Sequence, residues 1–184
     1  FDSLNDGYLV GLKHHRHEYK VFYLYNPSSS EFSSFLCFFL KNTKQALTVF
    51  YSGRGSNDKE GIEFKDDAIS KSSINHFILH ECEGNKQVMF ITDCINGGSV
   101  FDISGVDREL NLISFSVSKS NFSDENKRPH GIFTYYFCKL TNDFPNITPS
   151  RLIERMNPQL HLFNQNFSCQ TSKTELFNCP VFIL

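Results

Sequence analysis

An acid and a thiol stand side by side at Asp93-Cys94. They close the apolar run Gln87-Val88-Met89-Phe90-Ile91-Thr92 and precede Ile95-Asn96-Gly97-Gly98-Ser99. A thiol does nucleophilic work as a thiolate, and a positioned imidazole ordinarily takes its proton. A second glycine-rich edge lies upstream, where Ala46-Leu47-Thr48-Val49-Phe50-Tyr51 runs into Ser52-Gly53-Arg54-Gly55-Ser56. Arg54 offers charge there but no basicity, because a guanidinium keeps its proton far above neutral pH. His76 and His80 are one helical turn apart with Cys82 nearby, a zinc-like spacing with no matching ligand pair elsewhere. His14-His15-Arg16-His17 has Glu18 as its neighbouring carboxylate and reads as a solvated polar turn. The acidic stretch from Asp58 to Asp67 is not a recognisable calcium loop. No metal and no cofactor is expected.

Both glycine-rich edges need strands to present them. Residues 87–92 and 46–51 have the β-branched and aromatic bias of buried strands, and paired glycines permit the turns that follow. Ligand sites in open α/β sheets form at such carboxyl ends of strands. Tyr19 to Tyr25 reads as a further strand, stopped by Asn26-Pro27, and Ser28 to Glu31 has a capping-box pattern. Phe32, Phe35, Leu36, Phe39 and Leu40 then form a helical stripe, ended by Lys41 to Lys44. Strand, helix, strand predicts a right-handed parallel βαβ unit.

Asp58 to Asp67 reads as a surface excursion, with a short hairpin through Gly61-Ile62-Glu63-Phe64. Ser70 or Ser72 caps a helix burying Ile74, Phe77 and Ile78, which completes a second βαβ unit. In the strand Leu112 to Ser118, serines alternate with apolar residues, so one face is expected to be wet or to line a cleft. A charged, mobile loop is expected over 119–129, then a helix from His130 to Leu140. Thr148-Pro149 opens a helix through Met156, and a last strand lies near 167–171. Phe1 to Leu12, broken by Gly7 and Gly11, reads as a helix end or an irregular segment, and 1–18 is treated as one such region. A first residue other than Met suggests a processed chain or part of a longer one.

The 184 residues suit a single domain, 1–184, with a good core, and 20 Phe against no Trp predict one filled by phenylalanine. A net charge of -2 gives no reason to expect nucleic acid or an anionic membrane, and no run is long enough to span one. Six cysteines without CxxC pairs read as free buried thiols of a reducing cytosol. Three Asn-x-Ser/Thr triplets are cheap matches in a chain rich in Asn and Ser.

In this order the motifs resemble the caspase-like cysteine peptidases, specifically metacaspases. Tyr51-Ser52-Gly53-Arg54-Gly55 is similar to the family's Tyr-Ser-Gly-His-Gly strand end. Asp93-Cys94-Ile95-Asn96-Gly97-Gly98 is similar to its Asp-x-Cys strand end, followed by His or Asn, Ser or Gly, and Gly. Leu112 to Ser118 resembles its Ser-rich strand beside the substrate cleft. His130-Gly131-Ile132-Phe133-Thr134-Tyr135 resembles its His-Gly-x-Phe-Thr-Tyr helix start, and Cys169-Gln170-Thr171 its Gln-Thr-Pro strand. The resemblance covers about residues 19 to 184 and implies a three-layer αβα sandwich around a mostly parallel sheet. The family's first strand and helix should precede Val21, so that strand is expected upstream of Phe1 or is missing.

The resemblance also implies degenerate chemistry. The position of the family's general base holds Arg54, and that of its nucleophile holds Ile95. Cys94 matches the neighbouring position and is the alternative nucleophile, given a register shift and a substitute base. Gly55 and the amide of Ile95 match the oxyanion donors. Asp93, with Ser116 and Ser118, matches a pocket for Arg or Lys side chains; Asp93 equally suits a hydrogen bond to its own turn, or an ion pair with Arg54 that closes the site. The expected function is a pseudopeptidase, a protein-binding, regulatory or structural part of a cytoplasmic assembly such as the cytoskeleton. The alternative is an active cysteine peptidase cutting after Arg or Lys.

Overall fold

The computed structural model describes residues 3–56, 60–94, 100–103, 106, 109–119 and 131–182, with the side chains of 118 and 119 outside that description. Helix α1 spans Ser3–Arg16 and α2 spans Ser29–Asn42; strands β1 (Ala46–Gly53), β2 (Gly55–Ser56), β3 (Gly61–Glu63) and β4 (Ala68–Ser70) follow. Then come α3 (Lys71–Glu81), β5 (Gln87–Cys94), β6 (Asn111–Lys119), α4 (Ile132–Asp143), α5 (Pro149–His161) and β7 (Gln165–Thr171). The main sheet has the order β1-β5-β6-β7 and a smaller one the order β2-β3-β4. β1, β5 and β6 run parallel and β7 antiparallel, so the sheet is mostly parallel.

Alternation along β5 divides the core into two. Met89 and Ile91 face one layer, with Val10, Phe115, Phe133, Phe137, Leu152 and Met156. Val88, Phe90 and Cys94 face the other, with Leu36, Leu40, Ile74, Ile78 and Phe101. Helices α1, α4 and α5 therefore cover one face of the sheet and α2 and α3 the other, an αβα sandwich. The largest fully buried side chains are led by five phenylalanines: Phe90, Phe101, Phe115, Phe133 and Phe137.

Local signals in the sequence place most of these elements. Ser28 caps α2: its side chain accepts from the Glu31 amide, and Glu31 accepts from the Ser28 amide at 2.7 Å. Ser70 caps α3, and Thr148 with Pro149 opens α5. β1, α3 and β5 form the expected βαβ unit. The hairpin through Gly61 is part of a three-stranded sheet with β2 and β4. α5 continues past Met156 to His161, with Pro158 inside it.

Four expectations fail. The region 1–18 is no irregular segment: Ser3–Arg16 is a helix, and His14 to Arg16 form its last turn, with His14 buried. Gly11 lowers helix propensity without breaking the helix, and the space its missing side chain leaves is filled by the end of Tyr23. Tyr19 to Tyr25 forms no strand, since no neighbouring strand supplies a ladder for it among the described residues. On α2 the buried stripe is Phe32, Leu36 and Leu40, while Phe35 is exposed. Ser114 and Ser116 on β6 are buried, not wet, and Ser116 hydrogen-bonds Ser168 across to β7 at 2.7 Å. The 119–129 loop, but for the Lys119 backbone in β6, lies outside the described residues, as does His130.

Candidate functional site

At the carboxyl end of the sheet, Ser52 of β1 is in register with Asp93 of β5, and Gly53 with Cys94. Parallel partners in register point the same way, so Ser52 and Asp93 share one face and Cys94 takes the other. Asp93 lies on the α1 and α4 side and is fully buried. It accepts hydrogen bonds from the Thr134 hydroxyl at 2.6 Å and the Thr134 amide at 3.3 Å. A second fully buried acid, Asp6 of α1, accepts from the Gly131 amide at 2.7 Å and from the Ser52 hydroxyl at 3.0 Å.

These contacts explain the start of α4. Its cap residue is Gly131, which has no side chain to satisfy the first amides of the helix. Asp6 and Asp93, from two other elements, take that role, accepting from the Gly131 and Thr134 amides. A Cβ at position 131 would land on Asp93 Oδ2 and close to Asp6 Oδ2. The glycine is therefore a packing requirement between two carboxylates. Two buried acids, a serine and a threonine at one helix terminus make a compact centre of carboxyl and hydroxyl groups. Such a centre recognises a cationic group or fixes a helix; it does not attack a carbonyl.

The turn after β1 is anchored from below. The Tyr51 hydroxyl lies 2.8 Å from the Arg54 carbonyl and 2.9 Å from that of Glu63, and burial pushes its pKa above the usual tyrosine value. Arg54 itself is exposed, and its hydrogen bonds run through its carbonyl, to Tyr51 and to the Glu63 amide. Its guanidinium does not pair with Asp93, so the internal ion pair is not formed: β1 ends at Gly53 and carries the arginine outward, away from the buried acid. Gly55 belongs to β2 and pairs with Ile62.

Cys94 is 1% exposed and packs in the apolar cluster beneath α2 and α3. That position is opposite in sense to a nucleophile at an open groove, and the alternation of β5 is the reason. Burial also pushes up the thiols of Cys138 and Cys169, each to about 12, and raises those of Cys37 and Cys82. All six cysteines are free.

Of the expected site residues, the structure brings Asp93 to a buried centre, sends Arg54 to the surface and closes Ser116 into a cross-strand pair. Ile95, with Gly97 and Gly98, lies outside the described residues, as does the Ser118 side chain. His76 and His80 are exposed neighbours with ring centres 4.2 Å apart. Among the described residues, no three His, Cys, Asp or Glu side chains gather as a metal site.

Sequence reasoning missed Asp6, Gly131 as a packing glycine, and Thr134. The buried face of α1 is Asp6, Val10, Gly11, Lys13 and His14, an unusually polar stripe that hides from a hydrophobic period. The recoverable signal was spacing: Asp6, Val10 and His14 stand at four-residue intervals. The Caspase domain model, of the peptidase C14 family, matches residues 11–176. No curated protein matches the chain.

Proposed function

The chain belongs to the caspase-domain family, and on that premise we propose that it is a pseudopeptidase, a domain that binds protein and has lost peptide cleavage. The observation that carries this reading is the pairing of an outward-facing Arg54 with a buried Cys94. Arg54 stands where the family's base is expected, and a guanidinium neither accepts the thiol proton nor returns one to a leaving amine. The neighbouring thiol is packed under α2 and α3, where neither a substrate carbonyl nor a water-borne base reaches it.

The acidic centre of Asp6 and Asp93 persists as architecture: it terminates α4 and ties α1 to the sheet. A domain kept this way serves as a regulatory partner of an active relative or as one part of a protein assembly inside the cell. A net charge of -2 supports protein over nucleic acid or anionic lipid as its partner. No described helix is long and apolar enough to cross a membrane.

The test is incubation of the native chain with Arg- and Lys-containing fluorogenic peptides and, separately, with an electrophilic thiol probe. No turnover is expected, together with Cys94 labelling only after unfolding. Turnover that disappears in Cys94→Ala would establish the active-peptidase reading instead.

A further inference from the structure

Helix α3 shows two imidazoles to solvent on one face. His76 and His80 stand four residues apart, about one turn of helix, so their side chains leave the same side of α3. Both are exposed, and their ring centres lie 4.2 Å apart with the ring planes inclined at 48°. The opposite side of the helix carries Ile74 and Ile78, fully buried in the core with Val88 and Phe90.

The backbone beneath the pair is held along its length. Ser70 caps the start by accepting from the Ser73 amide at 3.2 Å, and the Asn75 side chain donates to the Asp102 carbonyl at 3.0 Å. At the other end the Cys82 amide donates to the Ile78 carbonyl at 3.1 Å. A ligand that spans residues 76 and 80 is therefore spared the cost of ordering the helix that carries them.

The ring separation decides what the pair can hold. Zinc–nitrogen bonds of about 2.0–2.1 Å, meeting between a right and a tetrahedral angle, place two imidazole ring centres roughly 4.5–5 Å apart. The observed 4.2 Å is slightly shorter, and small rotations of two exposed side chains close that gap. Imidazole nitrogen suits zinc, nickel and copper, whereas magnesium and calcium take oxygen. Cys82 supplies no third ligand: it packs against the α2 and α3 core, and burial raises its thiol pKa. A closed structural site needs four protein ligands, but an open one leaves positions to water.

We propose that His76 and His80 chelate one divalent ion of the zinc, nickel and copper class, with water in the remaining positions. Each ring coordinates through one nitrogen while neutral. The ion bridges one turn of α3 and secures its carboxyl end, because a ligand that binds only the folded helix stabilises it.

The experiment titrates the full, metal-free chain with zinc chloride by isothermal calorimetry. One ion per chain is expected, with a dissociation constant on the order of 10–100 µM, weaker than a closed four-ligand site. His76→Asn and His80→Asn each leave a single imidazole and are expected to weaken binding about ten-fold or more. Both positions are exposed, so the metal-free urea midpoints are expected to match the parent, and lost binding then reports lost ligands. Cys82→Ser and His161→Asn are expected to leave the affinity unchanged. Hydrogen exchange is expected to slow at the amides of Phe77 to Cys82 when zinc is added to the parent chain and not when it is added to either histidine variant. Magnesium chloride is expected to give heats of dilution alone. Zinc binding that survives the double variant His76→Asn/His80→Asn, or that disappears in Cys82→Ser, overturns the proposal. So does saturation by zinc without slower exchange in α3.

Discussion

At Gly131 a single hydrogen atom is all that two carboxylates leave room for. Gly131→Ala drives a methyl into Asp93 and Asp6 together and is expected to destabilise by about 1–3 kcal/mol, read as a lowered urea midpoint. Thr134→Val, nearly isosteric, removes the 2.6 Å donor to a buried carboxylate and is expected to cost about 1.5–3 kcal/mol. His14 gives a pH test. Its Nδ1 sits 2.8 Å from the Val10 carbonyl, and burial, the largest influence, lowers its pKa to about 4 from 6.5. The folded chain thus prefers the neutral ring, so this stability is fully present above pH 6.5. It is lost as the pH falls from 6.5 towards 4. At pH 5 the loss is about 2 kcal/mol, and His14→Phe is expected to remove that part of the pH dependence in urea unfolding.

Among the elements, a glycine of β3 and a glycine of α1 distinguish rigid from yielding neighbours. A Cβ at Gly61 would strike the backbone carbonyl of Ile69 across the β3–β4 pair, and backbone cannot step aside. A Cβ at Gly11 would strike the end of the Tyr23 side chain, which is exposed and free to rotate. Gly61→Ala is therefore expected to cost more than Gly11→Ala, by about 1–3 kcal/mol in thermal or urea unfolding. Gly11→Ala should lie near neutral, since alanine also favours the helix. Ser28→Ala breaks the capping box of α2 and is expected to cost about 1 kcal/mol. These elements were legible because capping, turns and alternation are local. The Tyr19 to Tyr25 strand was misread because a strand exists only through a neighbour, and β propensity cannot report whether one is there.

Across the whole molecule the segment at Phe182 closes the α1 layer. Phe182 is buried against His14, His17 and Phe137, and the Lys13 ammonium lies 5.2 Å from its ring centre. Lys13, buried itself, donates to the Thr141 carbonyl at 2.8 Å, which locks α1 to α4. Phe182→Ala is expected to cost about 3–5 kcal/mol and to loosen α1 in hydrogen exchange before the β5–β6 centre opens. Residue identity and local period were enough for the caps, the phenylalanine core and the ends of β1 and β5, and for the arginine at position 54, whose guanidinium cannot serve as a base. Packing settled that Cys94 lies in the α2 and α3 layer, that Ser116 is paired inside the sheet and that Asp6 joins Asp93 across Gly131. Those facts depend on which face of a strand meets which helix, and contacts between residues 6, 93 and 131 leave no trace in any local window.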